Sequence, residues 1–117
     1  MDKKHTKPLQ REILLSFWKI HILHHADERP VVGQWMLKEL RGHGYDVSPG
    51  TLYPILHRMN ELGWLKCNVD PAAGPRSRKE YTLTATGREM LAILRDQIQE
   101  LYQEVVRGEE KRESNKE

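Results

Sequence analysis

The sequence predicts a mainly α-helical protein that contains one small β-hairpin. In four segments of the 117-residue chain, apolar residues recur at intervals of three and four, which places them along one face of a helix. In two short segments, 64–69 and 79–84, they alternate with polar residues, as in strands that are buried on one face. A loop rich in proline and glycine, residues 70–78, separates these two segments and predicts a hairpin with a long tip.

Composition and charge limit the class of protein. Hydrophobic residues make up 38% of the chain and charged residues 31%, and no apolar run approaches the roughly 20 residues of a membrane-spanning helix. The first ten residues, MDKKHTKPLQ, lack the apolar core of a secretory signal, and a single cysteine fits a reducing cytoplasm. We therefore expect a cytoplasmic protein with no membrane partner. Residues 1–80 carry 13 Lys and Arg against 9 Asp and Glu, so a polyanion would meet this part of the chain.

Two helices are predicted in the first part of the chain. The first covers residues 8–25, begins at Pro8, and carries two neighbouring apolar rows, which predicts burial against more than one element. One row contains Leu9, Ile13, Phe17 and Ile20, and the other contains Leu14, Trp18 and Ile22. The second helix covers residues 34–41 and ends at the glycines that follow. Because the third helix starts only a few residues later, the second and third must cross.

The third helix, residues 48–62, contains a proline in its second turn. Ser48 can cap the helix start, Pro49 suits the first helical position, and Gly63 marks the end. Pro54 would remove a backbone hydrogen bond at a cost of roughly 3 kcal/mol, which the glycine four residues before it reduces; we expect a kink there. Alternatively, the helix begins near Thr51 and the proline costs nothing.

The last helix is predicted to join two copies of the chain. Thr84 or Thr86 can cap its start, with Glu89 completing a capping box to Thr86. A narrow heptad row follows, which requires another helix and most simply a second copy of itself. The row contains Leu91, Leu94, Ile98, Leu101 and Val105. We expect residues 1–84 to form the first domain, residues 85–107 a dimerisation helix, and residues 108–117 a disordered tail without apolar residues.

This order of elements is that of a winged helix-turn-helix with an added C-terminal helix. In that arrangement the third helix enters the major groove of DNA and the hairpin tip, the wing, follows the phosphate backbone. On the third helix, Leu52, Ile55, Leu56, Met59 and Leu62 are predicted to point inward. The outward side chains are predicted to include Tyr53, Pro54 and His57, and Pro54 is compact enough to touch a thymine methyl group or a sugar. Arg76, Arg78 and Lys79 place three cations at the wing tip.

The segments SPGTLYPILHRMNELGWL and GPRSRKEYTLTATGREML strongly resemble the PadR family of bacterial transcriptional regulators. The resemblance covers roughly residues 9–106 and is closest to the subfamily with one short C-terminal helix. It implies a dimeric winged-helix repressor that binds a palindromic operator and releases it on a signal. Carried over by position, it implies DNA contacts from Ser48, Thr51, Tyr53 and Arg58 of the third helix, and from Arg76, Arg78 and Lys79 of the wing.

The chain departs from the family pattern at two places, the start of the second helix and the last helix. Trp35 follows Gln34 where many members have a histidine-glycine-tyrosine motif, and the last helix has Tyr102 but no tryptophan on which a drug could stack. Trp18 and Trp35 are candidates for a pocket that binds a small aromatic effector, although core packing explains them equally well.

The three histidines of the first helix and the single cysteine are expected to have structural roles. His21, His24 and His25 have the spacing of metal or haem ligands, but no cysteine or acidic neighbour completes a site in the sequence, so we expect a group of partly buried or exposed histidines and no metal or cofactor. Cys67 alternates with Leu65 and Val69, which favours a packed thiol over an oxidant sensor.

No nucleophile with a base, pair of carboxylates or phosphate loop is visible, so the sequence does not predict an enzyme. The predicted function is a sequence-specific regulator that binds double-stranded DNA as a homodimer. Two alternatives remain at this stage, a winged-helix module that binds only proteins and a sensor whose main task is to bind a small molecule. The basic wing argues against a protein-only module, whose binding face would be more apolar.

Overall fold

The computed structural model describes residues 3–69, 72, 74 and 78–108, with side chains from residue 10 onward. The mainly helical fold with a small sheet is confirmed. The elements are α1 (Lys3–Glu28), β1 (Val31–Val32), α2 (Gly33–Gly42), α3 (Pro49–Glu61), β2 (Leu65–Asn68), β3 (Glu80–Leu83) and α4 (Ala85–Tyr102), followed by a π-helical turn, Gln103–Arg107. The first helix is therefore longer at both ends than the predicted 8–25. Within the described residues no helix combines the length and hydropathy needed to cross a membrane.

The sheet has three strands where the sequence predicted two. Its order is β1-β3-β2, and both pairings are antiparallel. The additional strand, β1, pairs Val31 with Tyr81 and Val32 with Glu80. Because β1 has only two residues, it shows no alternation that could have identified it.

The core lies where α1, α2 and α3 meet the sheet. Its fully buried side chains come from each of these elements: Trp18, Ile22 and Leu23 of α1, Met36 and Leu40 of α2, Leu52, Leu56 and Met59 of α3, and Leu65 of β2. Only one of the two apolar rows of α1 belongs to this core. Ile13 is 63% exposed and Phe17 is 43% exposed, so the prediction that both rows would be buried is wrong for this chain alone.

A glycine and a threonine fix the start of α4 against the turn that follows α3. Thr84 is the N-cap and accepts a hydrogen bond from the Gly87 amide at 2.9 Å, so the predicted capping box of Thr86 and Glu89 is wrong. The Thr84 hydroxyl also lies 2.5 Å from the Gly63 carbonyl and 3.0 Å from that of Trp64. A Cβ atom at Gly87 would overlap the Trp64 carbonyl, so only glycine allows this close approach.

Of the C-terminal tail, only the first residue is described. The predicted disordered tail, 108–117, lies outside the described residues except for Gly108, whose backbone dihedral angles are helical. The described part of the chain is a unit of three helices and a small sheet, followed by α4 and its π-helical turn.

Candidate nucleic-acid interface

The two faces of α3 are almost those predicted. Leu52, Ile55, Leu56 and Met59 are buried, whereas Leu62, the C-cap, is 40% exposed rather than inward. Tyr53, Pro54, His57 and Arg58 are exposed. The predicted outward residues therefore share one solvent-accessible face. His57 carries a partner on this face, since its Nε2 lies 3.3 Å from the Glu61 carboxylate.

The start of α3 is held by a residue that the sequence analysis missed. The side chain of Ser48, the N-cap residue, makes no capping hydrogen bond, so that prediction is wrong; its Oγ instead lies 3.2 Å from Thr51 Oγ1. Arg11 of α1 donates from Nη2 to the same Thr51 oxygen at 2.7 Å. Because 40 positions separate these residues, no local pattern could reveal the contact. It adds one cation beside the N-terminus of α3.

Pro54 is a true interior proline. Since α3 begins at Pro49, Pro54 is its sixth residue and the amide that it lacks would have bonded to the Gly50 carbonyl. The alternative start near Thr51 is therefore wrong. Gly50 is exposed, so water can reach its free carbonyl and the cost of the proline falls below that of a buried position. The predicted kink remains a prediction.

The wing and α3 form one cleft. Arg78 and Lys79 are exposed and line an opening of about 500 Å³ together with Tyr53, while Gly33 and Gln34 of α2 and Val32 and Tyr81 of the sheet complete its walls. Arg76, the third predicted wing cation, lies outside the described residues. The Tyr53 ring rests on the backbone of Gly33, since a Cβ atom there would come within 3.0 Å of Tyr53 Cδ1 and closer still to Cε1. Gly33 therefore positions Tyr53, a role that its place in the sequence did not indicate.

Burial changes the ionisation of one residue of the cleft. Removal from water, together with the nearby Cys67 thiol and its hydrogen bond, raises the pKa of Tyr81 above its ordinary value. Cys67 is half-buried against the core, and its amide donates to Asn60 Oδ1 at 3.0 Å. This agrees with the packed thiol that the alternation predicted.

The predicted dimer row is only partly exposed. Leu91 is buried in the core of its own chain and Leu94 is half-buried, whereas Ile98 is 41% and Leu101 is 53% exposed. Val105 is exposed but belongs to the π-helical turn, whose i to i+5 bonding interrupts the heptad spacing. The exposed part of the row does not stand alone. It borders Phe17 and Ile20 of α1 in an apolar groove of about 390 Å³.

The two candidate effector tryptophans have different surroundings. Trp18 is buried, contacts the edge of Tyr45 with ring centroids 6.1 Å apart, and lines a groove of about 520 Å³ beside Leu14 and Leu15. The Trp35 ring instead contacts the His25 ring. The guanidinium carbon of Arg29 lies over Trp35, 4.0 Å from the centre of the Trp35 ring. A shared pocket of both tryptophans therefore has no support in these contacts.

The histidines of α1 do have acidic neighbours, so the expectation that none would complete a site is wrong. His24 Nε2 lies 3.0 Å from Glu28, and His25 lies 3.6 Å from both Glu28 and Glu39 of α2. Burial, followed by the charge of His43, lowers the pKa of His21. Burial likewise lowers the pKa of His25, against the opposing effect of Glu39. These histidines are not among the residues that line the cleft between α3 and the wing.

Comparison with known proteins supports the same reading of the fold. The chain is 43% identical over 99 residues to Transcriptional regulator Rv3488 of Mycobacterium tuberculosis, which covers 85% of this chain and 92% of that protein. It is similar in structure to a PadR family transcriptional regulator from Eggerthella lenta, with a TM-score of 0.72, 26% identity, and coverage of 87% and 89% of the two chains. A PadR-like transcriptional regulator from Bacillus cereus gives a TM-score of 0.70 at 27% identity, with coverage of 80% and 92%.

The family assignment follows from these matches and from the motifs on α3 and the wing. Residues 22–93, more than half of the chain, match the family described as Transcriptional regulator PadR-like family. The family and the name of the mycobacterial relative both indicate a regulator of transcription rather than an enzyme. The chain belongs to the PadR-like family of transcriptional regulators.

Proposed function

We propose that this regulator is a homodimeric repressor that binds a palindromic DNA operator and leaves it in response to a small-molecule signal. The observation that carries the DNA-binding part is the cleft in which Tyr53 of α3 meets Arg78 and Lys79 of the wing. An exposed helix face with an adjoining pair of cations suits a duplex, because side chains on the helix reach base edges while the cations meet phosphates. Membership of the family implies DNA binding as well.

The two kinds of DNA contact would divide between the elements of this interface. With α3 in the major groove, Tyr53, Pro54 and His57 face the base edges, and Pro54 offers an apolar surface to a thymine methyl group. Contacts to phosphates come from cations and hydroxyls around this face: Ser48, Thr51 and Arg58 of α3, Arg76, Arg78 and Lys79 of the wing, and Arg11, whose contact with Thr51 adds it to the predicted set.

The exposed apolar groove supports the homodimer. Ile98 and Leu101 of α4 and Phe17 of α1 are too exposed for a chain that works alone, and a second copy would cover the same surface in return. In a two-fold dimer each α3 would read one half-site, with half-site centres about 34–36 Å apart. A two-fold dimer reads a palindrome, which is the reason for the proposed operator symmetry.

Release from the operator would need an effector site that can act on the DNA interface. The groove beside Trp18 and Tyr45 provides an aromatic surface for a small aromatic compound, and its wall includes Arg11. Since Arg11 also bonds Thr51, an occupant of this groove would act close to the start of α3. This is the physical support for a repressor that responds to a small molecule.

A binding experiment with matched variants tests the proposal. The labelled duplex is the DNA upstream of the protein's own gene, and fluorescence anisotropy measures affinity as a function of salt. We expect Arg78→Ala to weaken binding to all sequences and to reduce the salt slope by about one. Tyr53→Ala should instead change the preference between operator and scrambled duplex. Arg88→Ala is the control, because it removes the same charge from α4, where Arg88 pairs with Asp27 at 3.4 Å.

The outcomes separate the alternatives. A chain that fails to bind any duplex at low salt, while still folded and dimeric, would support the protein-interaction module instead. An unchanged salt slope for Arg78→Ala would remove the wing from the interface. Light scattering of the same samples measures the oligomeric state, and a monomer at working concentration contradicts the homodimer.

A further inference from the structure

Three histidines from two helices converge beside the core, away from the cleft between α3 and the wing. His21 and His25 lie one helical turn apart on α1, and His43 is the C-cap of α2. Each offers a ring nitrogen, and these three nitrogens all lie within 4.8 Å of one another. The His21 and His43 rings stack with centroids 4.7 Å apart. Because 22 positions separate His21 from His43, packing of the helices creates the cluster.

Some ring nitrogens of this cluster lack a hydrogen-bond partner among the described residues. Among the described residues, the two ring nitrogens of His25 are buried and neither has a hydrogen-bond partner. Carboxylate oxygens of Glu28 and Glu39 lie 3.6 Å from them, beyond hydrogen-bond length. A buried polar group without a partner requires an explanation, and a bound ion or water is a common one.

We propose that His21, His25 and His43 bind one divalent transition-metal ion of the Zn²⁺ class, with Glu39 as the acidic partner of the site. Neutral imidazole is a preferred ligand of Zn²⁺, Co²⁺ and Ni²⁺, whereas Mg²⁺ and Ca²⁺ prefer oxygen. The Glu39 carboxylate lies 3.3 Å from His43 Nε2 and 3.6 Å from His25 Nε2, so it can neutralise or ligate an ion held there.

To bind one metal ion, the three ring nitrogens would have to move only slightly closer together. Tetrahedral coordination with metal–nitrogen bonds of about 2.0–2.1 Å brings ligand nitrogens to about 3.4 Å from one another. The present upper limit of 4.8 Å therefore closes by about 1.4 Å. His43 can supply this movement, because its side chain is 45% exposed and sits at the end of α2. The Tyr45 hydroxyl lies 3.4 Å from His21 Nε2 and helps to orient the His21 ring.

A second group, His24, His25 and Glu28, competes for the same central histidine. Its ligand atoms also lie within 4.8 Å of one another. However, His24 and Glu28 are both about half exposed and already form an ion pair at 3.0 Å along one helix. The first cluster is favoured because it joins residues from two helices, whereas the second lies along α1 alone. The two groups make opposite predictions for His24 and His43, which makes them separable.

The test is a titration of the full chain, without an affinity tag and freed of metal with a chelator, with Co²⁺ and Zn²⁺ chlorides. We expect one equivalent of Co²⁺ per chain, visible d–d absorption that Zn²⁺ abolishes by displacement, and quenching of Trp35, whose ring lies 5.2 Å from that of His25. His43→Gln should weaken binding at least tenfold, and Glu39→Gln by about 10–100-fold. His24→Gln should bind like wild type.

His57→Gln is the matched control, since it removes an exposed histidine that has its own carboxylate partner on α3. Zn²⁺ should also raise the melting temperature of the wild type and of this control but not of His43→Gln, which separates loss of the site from loss of the fold. The proposal is overturned if millimolar Co²⁺ gives no absorption, or if His24→Gln loses binding while His43→Gln keeps it. The metal site does not depend on DNA binding, so either proposal can fail alone.

Discussion

Gly33→Ala tests whether α2 holds Tyr53 in position for DNA. The new Cβ atom would lie 3.0 Å from Tyr53 Cδ1 and nearer to Cε1, so the ring must move. The obstructing atoms belong to the far part of a side chain that is 43% exposed, so movement of the ring costs about 0.5–1.5 kcal/mol. Replacing glycine in a helix returns up to about 1 kcal/mol, and less at its first position. We therefore expect the free energy of unfolding to change by less than about 1 kcal/mol.

DNA binding should respond much more strongly than stability. A displaced Tyr53 would lose its proposed contacts with base edges, worth about 1–3 kcal/mol, so operator affinity should fall about 5- to 150-fold. In a Tyr53→Ala background the clash disappears, and Gly33→Ala becomes neutral or slightly stabilising. Urea denaturation and anisotropy of the four proteins form a double-mutant cycle. Equal effects of Gly33→Ala in both backgrounds would refute the idea that this glycine acts through Tyr53.

Three other perturbations follow from the fold. Gly87→Ala should destabilise the chain by about 2–4 kcal/mol in urea denaturation, because the obstructing atom is the backbone carbonyl of Trp64 rather than a movable side chain, and a wild-type midpoint would contradict this contact. The double variant Ile98→Asp with Leu101→Asp should give monomers in sedimentation velocity without loss of helical circular dichroism, and an unchanged dimer would exclude this groove as the interface. Since the pKa of Tyr81 is raised, its neutral form stabilises the fold below about pH 10, and this contribution is lost as pH rises through the folded-state pKa. The wild type should therefore lose more stability than Tyr81→Phe between about pH 9 and 11, and parallel curves would contradict the shift.

Periodic features of the fold could be predicted from the sequence. The inward face of α3 from Leu52 to Met59 follows the 3.6-residue repeat, because burial of that face stabilises the helix. The alternation around Cys67 and Tyr81 predicted the paired strands for the same reason. The outward face of α3 followed as the complement of the inward one. These predictions succeeded because one local pattern determines each of them.

Features that depend on distant packing could not be predicted in this way. The contact of Arg11 with Thr51 and the meeting of His21 with His43 join positions on different helices, and no spacing within one helix encodes them. The prediction that the row of α1 with Phe17 is buried was wrong for a different reason. A helix with two apolar rows indicates two partners, but the pattern does not say whether the second partner belongs to the same chain.

The central position of α1 explains how a regulator of this size can connect several surfaces. One face of the helix packs Trp18 into the core, and the neighbouring face, which includes Phe17 and His21, lines the apolar groove with α4. The His21 ring also stacks on that of His43 at the end of α2. Near its N-terminal end Arg11 holds the start of α3. The proposed release of DNA requires two arrangements of the protein that differ in their contacts with the proposed effector. A shift of α1 would change the apolar groove and the Arg11–Thr51 contact together, because one helix carries both. A signal that moves α1 would therefore also change the contact that holds the start of α3.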